Sequence, residues 1–249
     1  MKSYESFAYF YDDLTGNVNY KELSEYFDTL IKKHSNGGRL LLDLACGTGS
    51  LSFELAKKGY DVVSVDASED MLSEAMNKPH TFGNPTFLNQ TMQELDLFGT
   101  IDSAVCCLDS INHLSSEEDV KKAIERVSLF MNEGGVFIFD VNTLYKHQEI
   151  LGNNTFVYDA DSVYCVWQNA FDEQDGSVNI SLDFFETQED GSYERYDESF
   201  SEYFYDDVFL SKTLFENNFK VLEKYDDFSF NPINDKTQRI VYVCRKESK

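Results

Sequence analysis

Apolar positions in the first part of the chain follow two different periods. Residues 3–33 carry them at helical spacing in two pieces, broken at Thr15-Gly16-Asn17. The first piece sets Phe7, Phe10, Tyr11 and Leu14 three and four apart, which predicts a helix with one apolar face. Short, almost unbroken apolar runs follow at residues 41–44, 62–66, 86–89, 101–108 and 136–141. Such runs are the pattern of strands covered on both faces. Helical segments lie between them: residues 50–59 with Leu51, Leu55 and Ala56 on one side, a segment opened by Ser68 with Glu69 and Asp70 in its first turn, and one opened by Ser116-Glu117-Glu118-Asp119 with Val120, Ile124 and Val127 inward. Ser68 and Ser116 are good N-caps, and the acids that follow suit the positive end of a helix dipole. Asn132-Glu133-Gly134-Gly135 should end the last of these helices before the fifth strand. Strand and helix in alternation predict right-handed crossovers and a parallel sheet.

Beyond residue 154 the period changes to two. Val178, Ile180, Leu182 and Phe184 alternate with Asn179, Ser181 and Asp183, and Asp175-Gly176 and Asp190-Gly191 are hairpin turn signals. Residues 155–205 therefore read as an inserted antiparallel β-meander. Asp206-Asp207 then caps a helix through Asn218, with Leu210, Leu214 and Phe215 expected inward. A sixth strand follows over residues 219–228, a turn over 232–235, and a seventh strand over 240–245. So short a connection makes the last strand antiparallel to its neighbour. The expected fold is α/β: a Rossmann-like, seven-stranded, mostly parallel sheet with an antiparallel terminal hairpin, plus the meander. The expected division is a core with N-terminal helices (1–154), an insert serving as lid or interface (155–205), and completion of the core (206–249).

Charge changes the picture more than composition does. The net charge is −24, with 42% hydrophobic and 27% charged residues. Such a field repels phosphate backbones and argues against a nucleic-acid partner. Residues 155–205 hold thirteen Asp or Glu against the single Arg195, so half of the excess lies in the insert. The cysteines, Cys46, Cys106, Cys107, Cys165 and Cys244, are odd in number and form no Cys-x-x-Cys, which reads as buried thiols in a cytoplasmic protein. His34, His80, His113 and His147 lack metal-ligand spacing, so no metal is expected. No long apolar run opens the chain, and neither a signal peptide nor a membrane partner is expected.

The candidate chemistry sits where the first two strands end. Leu41-Leu42-Asp43-Leu44-Ala45-Cys46-Gly47-Thr48-Gly49 is a strand running into a glycine turn, and the second strand ends on Asp66. A crossover places both ends at one edge of the sheet, where ligands bind in open α/β folds. Asp43, inside an apolar strand, suits a ligand bearing an amino group or a sulfonium better than a pyrophosphate. Ser52 also stands where a dinucleotide fingerprint needs its third glycine. With an acid before a glycine-rich turn and an acid at the second strand's end, the chain resembles the class I methyltransferases that use S-adenosylmethionine. Its layout is similar to that of glycine N-methyltransferase and amino-sugar N,N-dimethyltransferases, which carry an inserted lid sheet.

The resemblance implies a cofactor site at Asp43 (methionine end, by its ammonium or by ordering the turn), Ala45, Cys46, Gly47 and Gly49 (backbone approach), and Asp66 with Ala67 and Met71 (ribose side). Adenine then falls to Met92 and Gln93, because Thr91 stands where related enzymes offer an aspartate. Leu108 marks the exit of the fourth strand, where acceptor and methyl group meet. Asp109, Asn112 and Tyr11 are candidates for acceptor contact, Tyr11 on a leading helix that either covers the sheet edge or folds over the cofactor. His113 is the candidate base, since histidine changes charge in the neutral range. The expected activity is methyl transfer to nitrogen or oxygen of a small molecule, possible as a homodimer, with an amine favoured by the aromatic, acidic insert. The alternatives are a SAM-binding regulatory or scaffold protein without turnover and a nicotinamide oxidoreductase, the latter disfavoured by Asp43 and the terminal hairpin.

Overall fold

The structure is a computed structural model and describes residues 3–79, 83–160 and 163–248, with side chains from Phe7 onward. His80, one of the four scattered histidines, lies outside the described residues. Two helices come first, α1 (Ser3–Leu14) and α2 (Tyr20–His34). The alternating core follows: β1 (Leu40–Leu44), α3 (Ser50–Lys57), β2 (Asp61–Asp66), α4 (Glu69–Asn77), β3 (Thr86–Asn89), β4 (Ile101–Cys106), α5 (Glu117–Phe130) and β5 (Met131–Asn142). The insert is β6 (Thr155–Asp159), β7 (Val163–Phe171), β8 (Val178–Thr187) and β9 (Tyr193–Glu202), and the chain closes with α6 (Asp207–Glu216), β10 (Phe219–Asp226) and β11 (Arg239–Lys246).

The large sheet has the order β10-β11-β5-β4-β1-β2-β3. Only β11 runs against its neighbours, β5 and β10; the other pairings are parallel. Its two faces sort alternate residues into two apolar layers. Leu42, Leu44, Ala104, Cys106, Phe137 and Phe139 meet α5 and α6, while Leu41, Val105, Val136 and Ile138 meet α2 and α3. Cys106 and Cys107 fall into opposite layers and, like the other cysteines, are unpaired. The serine caps form as expected: Ser68 accepts from the Met71 N–H and Ser116 from the Asp119 N–H, each at 3.2 Å.

Three expectations change. β4 stops at Cys106, because Leu108 and Asp109 both adopt left-handed backbone at φ +58°. The Asn132–Gly135 stretch lies within β5 as an irregularity in the ladder, since Ile101 pairs with Met131 but Ser103 with Val136. Phe215 faces solvent at 80% exposure, while Leu210 and Leu214 are buried. Adjacent helical residues are about 100° apart around the axis, which turns Phe215 off the stripe.

The four-stranded sheet, order β6-β7-β8-β9, is wholly antiparallel. Along β8 the even-numbered residues 178–184 are buried, as period two requires. That buried face receives α1: Phe10 stacks on Phe184 at 5.7 Å, and Phe7 lies 6.0 Å from Phe200. The leading helix therefore packs under the insert. Among the described residues, no helix is long and apolar enough to cross a membrane.

Candidate active site

After β1 the chain reverses through three left-handed residues, Ala45 (φ +60°), Gly47 (+53°) and Gly49 (+71°). Two hydrogen bonds to the end of β2 hold this turn. The Cys46 N–H donates to the Val65 carbonyl at 3.0 Å, and the Gly47 N–H to Asp66 Oδ2 at 2.8 Å. The Ser68 N–H donates to Asp66 Oδ1 at 2.9 Å, so Asp66 ties the glycine turn to the start of α4. Each carboxylate oxygen has lone pairs for two bonds, which leaves Asp66 capacity toward the cavity it lines. Burial pushes its carboxyl up, against the backbone amides that lower it.

That cavity, about 590 Å³, runs along the carboxyl edge of β1, β2 and β4. Ala45, Gly47, Asp66, Ala67 and Met71 form its floor, Thr91, Met92 and Gln93 one end, and Leu108, Ser110 and His113 the wall after β4. Its roof comes from elsewhere: Phe7 and Tyr11 of α1, Glu198 and Phe200 of β9. A Cβ added at Gly47 would lie 3.9 Å from the Tyr11 ring, an ordinary contact, so its left-handed backbone rather than lack of room favours glycine there. The phenol of Tyr11 is pushed well up by burial and by nearby Tyr20 and Asp109.

The turn after β4 is built by a buried acid and an arginine distant in sequence. Asp140 of β5, fully buried, accepts the N–H groups of Leu108 and Asp109, both at 2.8 Å. Arg239, at the start of β11, donates to Asp140 and, at 2.7 Å, to Asp109. Burial opposes ionisation of Asp109, but Arg239, Lys146 and His113 more than offset it and hold the carboxyl well below its usual range. Beyond Leu108, which borders both spaces, a second cavity of about 830 Å³ has Lys146, Lys236 and Arg239 in its wall.

Several expected site residues lie elsewhere. Asp43 is 1% exposed beneath the turn and is absent from the cavity wall. The Ser52 hydroxyl donates to it at 2.5 Å and is itself bonded by Ser64. Burial outweighs the Ser52 bond and raises its carboxyl to about 7. Its bond therefore runs to α3, and through Ser52 to Ser64 of β2, rather than into the cavity. Gly49 does not line the cavity either; its missing side chain serves packing, since a Cβ there would meet the Phe87 ring at 3.0 Å and Ala75 at 3.2 Å. Cys46 is likewise off the wall.

Asn112 is fully buried, and its amide is spent. Nδ2 donates to the Tyr203 carbonyl at 2.8 Å, and Oδ1 accepts from the Asn142 N–H at 2.8 Å. It staples β5 to the exit of the insert and has no surface for an acceptor. Asp109 is held by Arg239 and is outside the cavity wall. The fold brings donor atoms of Asp109, His113 and Glu202 within 4.8 Å of one another, a grouping that spacing along the chain does not suggest. Two of the three are already used, Asp109 by Arg239 and Glu202 by the Asn142 amide. Ser110, Glu198 and Phe200 line the cavity but were missed from sequence. For the last two a signal existed: both fall on the inward, even register of β9 with Tyr196.

An open α/β sheet whose rim carries an acid-tied glycine turn under a separate roof is a Rossmann-like core that takes a nucleoside cofactor at its carboxyl edge. Comparison with known proteins makes this specific. Residues 41–135 match a family described as a methyltransferase domain. A crystal structure of an S-adenosylmethionine-dependent methyltransferase from Clostridium acetobutylicum ATCC 824 superposes with a TM-score of 0.87 at 35% identity, covering 98% of this chain and 99% of that one. A Geobacillus sp. (strain WCH70) protein named "Putative methyltransferase" is 32% identical over 98% of this chain and 100% of its own length. A glycine/sarcosine N-methyltransferase of Parasynechococcus marenigrum (strain WH8102) is 31% identical over 60% of this chain and 52% of that protein. The chain belongs to the class I S-adenosylmethionine-dependent methyltransferases, and S-adenosylmethionine is its cofactor.

Proposed function

We propose that the protein methylates nitrogen or oxygen of a small molecule held between the rim of the large sheet and the inserted sheet. The observation that carries this reading is the roof. α1 and β9 close over the cofactor cavity with Phe7, Tyr11, Glu198 and Phe200. A cavity of about 590 Å³ is of the size that takes small ligands.

Asp66 receives the ribose hydroxyls with the lone pairs its two backbone bonds leave free. Ala45 and Gly47 bring backbone close to the methionine part, and Ala67 and Met71 lie beneath the sugar. Thr91, Met92 and Gln93 border the adenine end. Bound there, S-adenosylmethionine supplies a methyl group already activated by its sulfonium, so the chain's task is alignment. Well-oriented pairing can contribute roughly 7 to 11 kcal/mol. His113 takes the acceptor's proton, with donor atoms of Asp109 and Glu202 within 4.8 Å of its own. Leu108 sets the acceptor's side of the cavity, and Tyr11 and Phe200 keep water from the reacting atoms. The five unpaired thiols support a cytoplasmic setting.

The test is tritiated methyl transfer from S-adenosylmethionine into a cell extract, fractionated by size. Label in the low-mass fraction is expected. Label confined to protein or RNA would overturn the small-molecule reading, and tight cofactor binding with no incorporation would support the binding protein without turnover.

A further inference from the structure

Asp43, Asp66 and Asp140, beneath and beside the cavity, have hydrogen-bond partners; a buried acid in its roof has an oxygen with none. Glu198 of β9 lines the cavity and is 5% exposed, yet its Oε2 has no hydrogen-bond partner. Leaving such a group unsatisfied costs stability, so a lid serving only as cover would do better with an apolar residue. Its setting is aromatic. Phe200, two residues along the same face of β9, lies 5.1 Å from the His113 ring and 6.0 Å from Phe7. Phe7 stands edge-on to Tyr11 at 5.4 Å. The charges facing this space are one-sided: Asp66 from β2, Glu69 and Asp70 from α4, Glu198 from β9, with the phenol of Tyr11 from α1 and the imidazole of His113 after β4. Among the described residues, no lysine or arginine lines it.

We propose that Glu198 is an acceptor-binding residue that receives the ammonium group of a small amine against the aromatic wall of Phe7, Tyr11 and Phe200. A buried carboxyl with a free oxygen gives a charge-assisted partner, and ring faces add cation–π attraction. The same features work against an acceptor that presents a carboxylate or phosphate here. Burial raises the carboxyl to about 7, so a cation entering at neutral pH drives it to ionise and release its proton to solvent. This inference rests on the small-molecule reading and narrows it to amines.

The experiment uses the full chain saturated with S-adenosylhomocysteine and a pair of probes of like shape, cyclohexylammonium and cyclohexanol. Calorimetry at pH 7 is repeated in buffers of different ionisation heat, so that proton release is counted. Wild type should bind the amine at least about tenfold more tightly than the alcohol, with net proton release. Glu198→Gln should bind S-adenosylhomocysteine as before, lose about tenfold in amine affinity and release no proton. Equal amine binding by wild type and Glu198→Gln overturns the role of Glu198 while leaving an amine acceptor in place. Amine and alcohol binding alike, or neither binding, overturns the amine reading itself. Glu198→Met supplies a second readout: it should melt above wild type, because an unpaired buried carboxyl has been replaced by apolar bulk. A lower melting temperature would show that Glu198 is structural and overturn the proposal.

Discussion

On the floor of the cavity and beneath it, the acids are engaged: Asp43 with Ser52, Asp66 with the Gly47 and Ser68 amides, Asp140 with the Leu108 and Asp109 amides. In the roof, the oxygen of Glu198 meets nothing. The two arrangements suit two tasks. Asp66 and Asp140 spend their bonds on backbone amides and Asp43 on a buried hydroxyl, which fixes the turns before any ligand arrives and lowers the ordering cost at binding. An unsaturated acid keeps a bond in reserve, at a cost in stability, for a group that the chain does not supply. Floor residues should therefore respond in stability and cofactor affinity, and roof residues in acceptor affinity.

The strongest way to break the comparison is at Arg239. Arg239→Ala leaves Asp109 and Asp140 buried without their cation, and removing one partner of such a pair typically costs about 3 to 5 kcal/mol. A urea titration should show that loss. A change below about 1 kcal/mol would mean that the turn after β4 is held by its amide bonds alone.

Asp43 tests the floor through pH. Its folded carboxyl, near 7, lies above the unfolded value of 3.8. The unfolded chain thus releases this proton first, and the stabilising effect, complete below the unfolded value, is lost as pH rises through the folded one. Stability should fall between about pH 4 and 7 and level off above, by at most roughly 4 kcal/mol from this group. Asp43→Asn should flatten that fall in urea midpoints measured across the range. Glu198→Gln should remove a further part of it, since that carboxyl is also raised to about 7. An unaltered pH profile in Asp43→Asn would show that Asp43 is ionised in the folded protein.

Asp66→Ala addresses the cofactor. It removes the proposed ribose contact and frees the Gly47 and Ser68 amides, and charge-assisted bonds are worth about 1.5 to 3 kcal/mol each. Affinity for S-adenosylhomocysteine should drop by about tenfold or more in calorimetry, with the protein still folded. Affinity within a factor of about two would refute the ribose role. Removing the whole insert would not be a clean complement, because Phe7 and Phe10 would lose the sheet they pack on and Asn112 its partner Tyr203.

These tests follow the line between what the sequence made legible and what it did not. The floor was legible because its chemistry is local: a glycine turn, a strand-end acid and capped helices announce themselves within a few residues. The meander was legible through its period of two. The acid–arginine cluster was not, since Asp109 and Arg239 lie 130 positions apart and only the β5–β11 pairing brings them together. Asn112 was misread for the same reason, its partners Asn142 and Tyr203 being distant in the chain. Asp43 was legible as an unusual acid, but not as one covered by Ser52. Glu198 was in plain view on the inward register of β9; the insert's many acids disguised it as one more solvated charge.

The smallest expected effect lies where floor and roof are joined. Lys78 at the end of α4 pairs with Asp12 of α1 at 2.6 Å and donates to Thr48 and Ser50 of the glycine turn at 2.9 and 2.6 Å. Thr48 donates to Asp12 as well, at 2.7 Å. This cluster ties the helix carrying Phe7 and Tyr11 to the turn that faces them. Asp12 is nearly half exposed, so water and salt screen the pair, and exposed ion pairs contribute only about 0.2 to 1 kcal/mol. Lys78→Met should therefore lower stability by no more than about 1 kcal/mol and weaken S-adenosylhomocysteine binding about twofold, both differences shrinking as salt is raised. The roof touches the floor here by charge, whereas it touches the insert by stacked rings; α1 should follow the insert when the two part. If Lys78→Met instead cost tenfold in cofactor affinity regardless of salt, α1 would belong to the floor, and the boundary between the two halves of the cavity would have to be redrawn through Phe10 and Phe184.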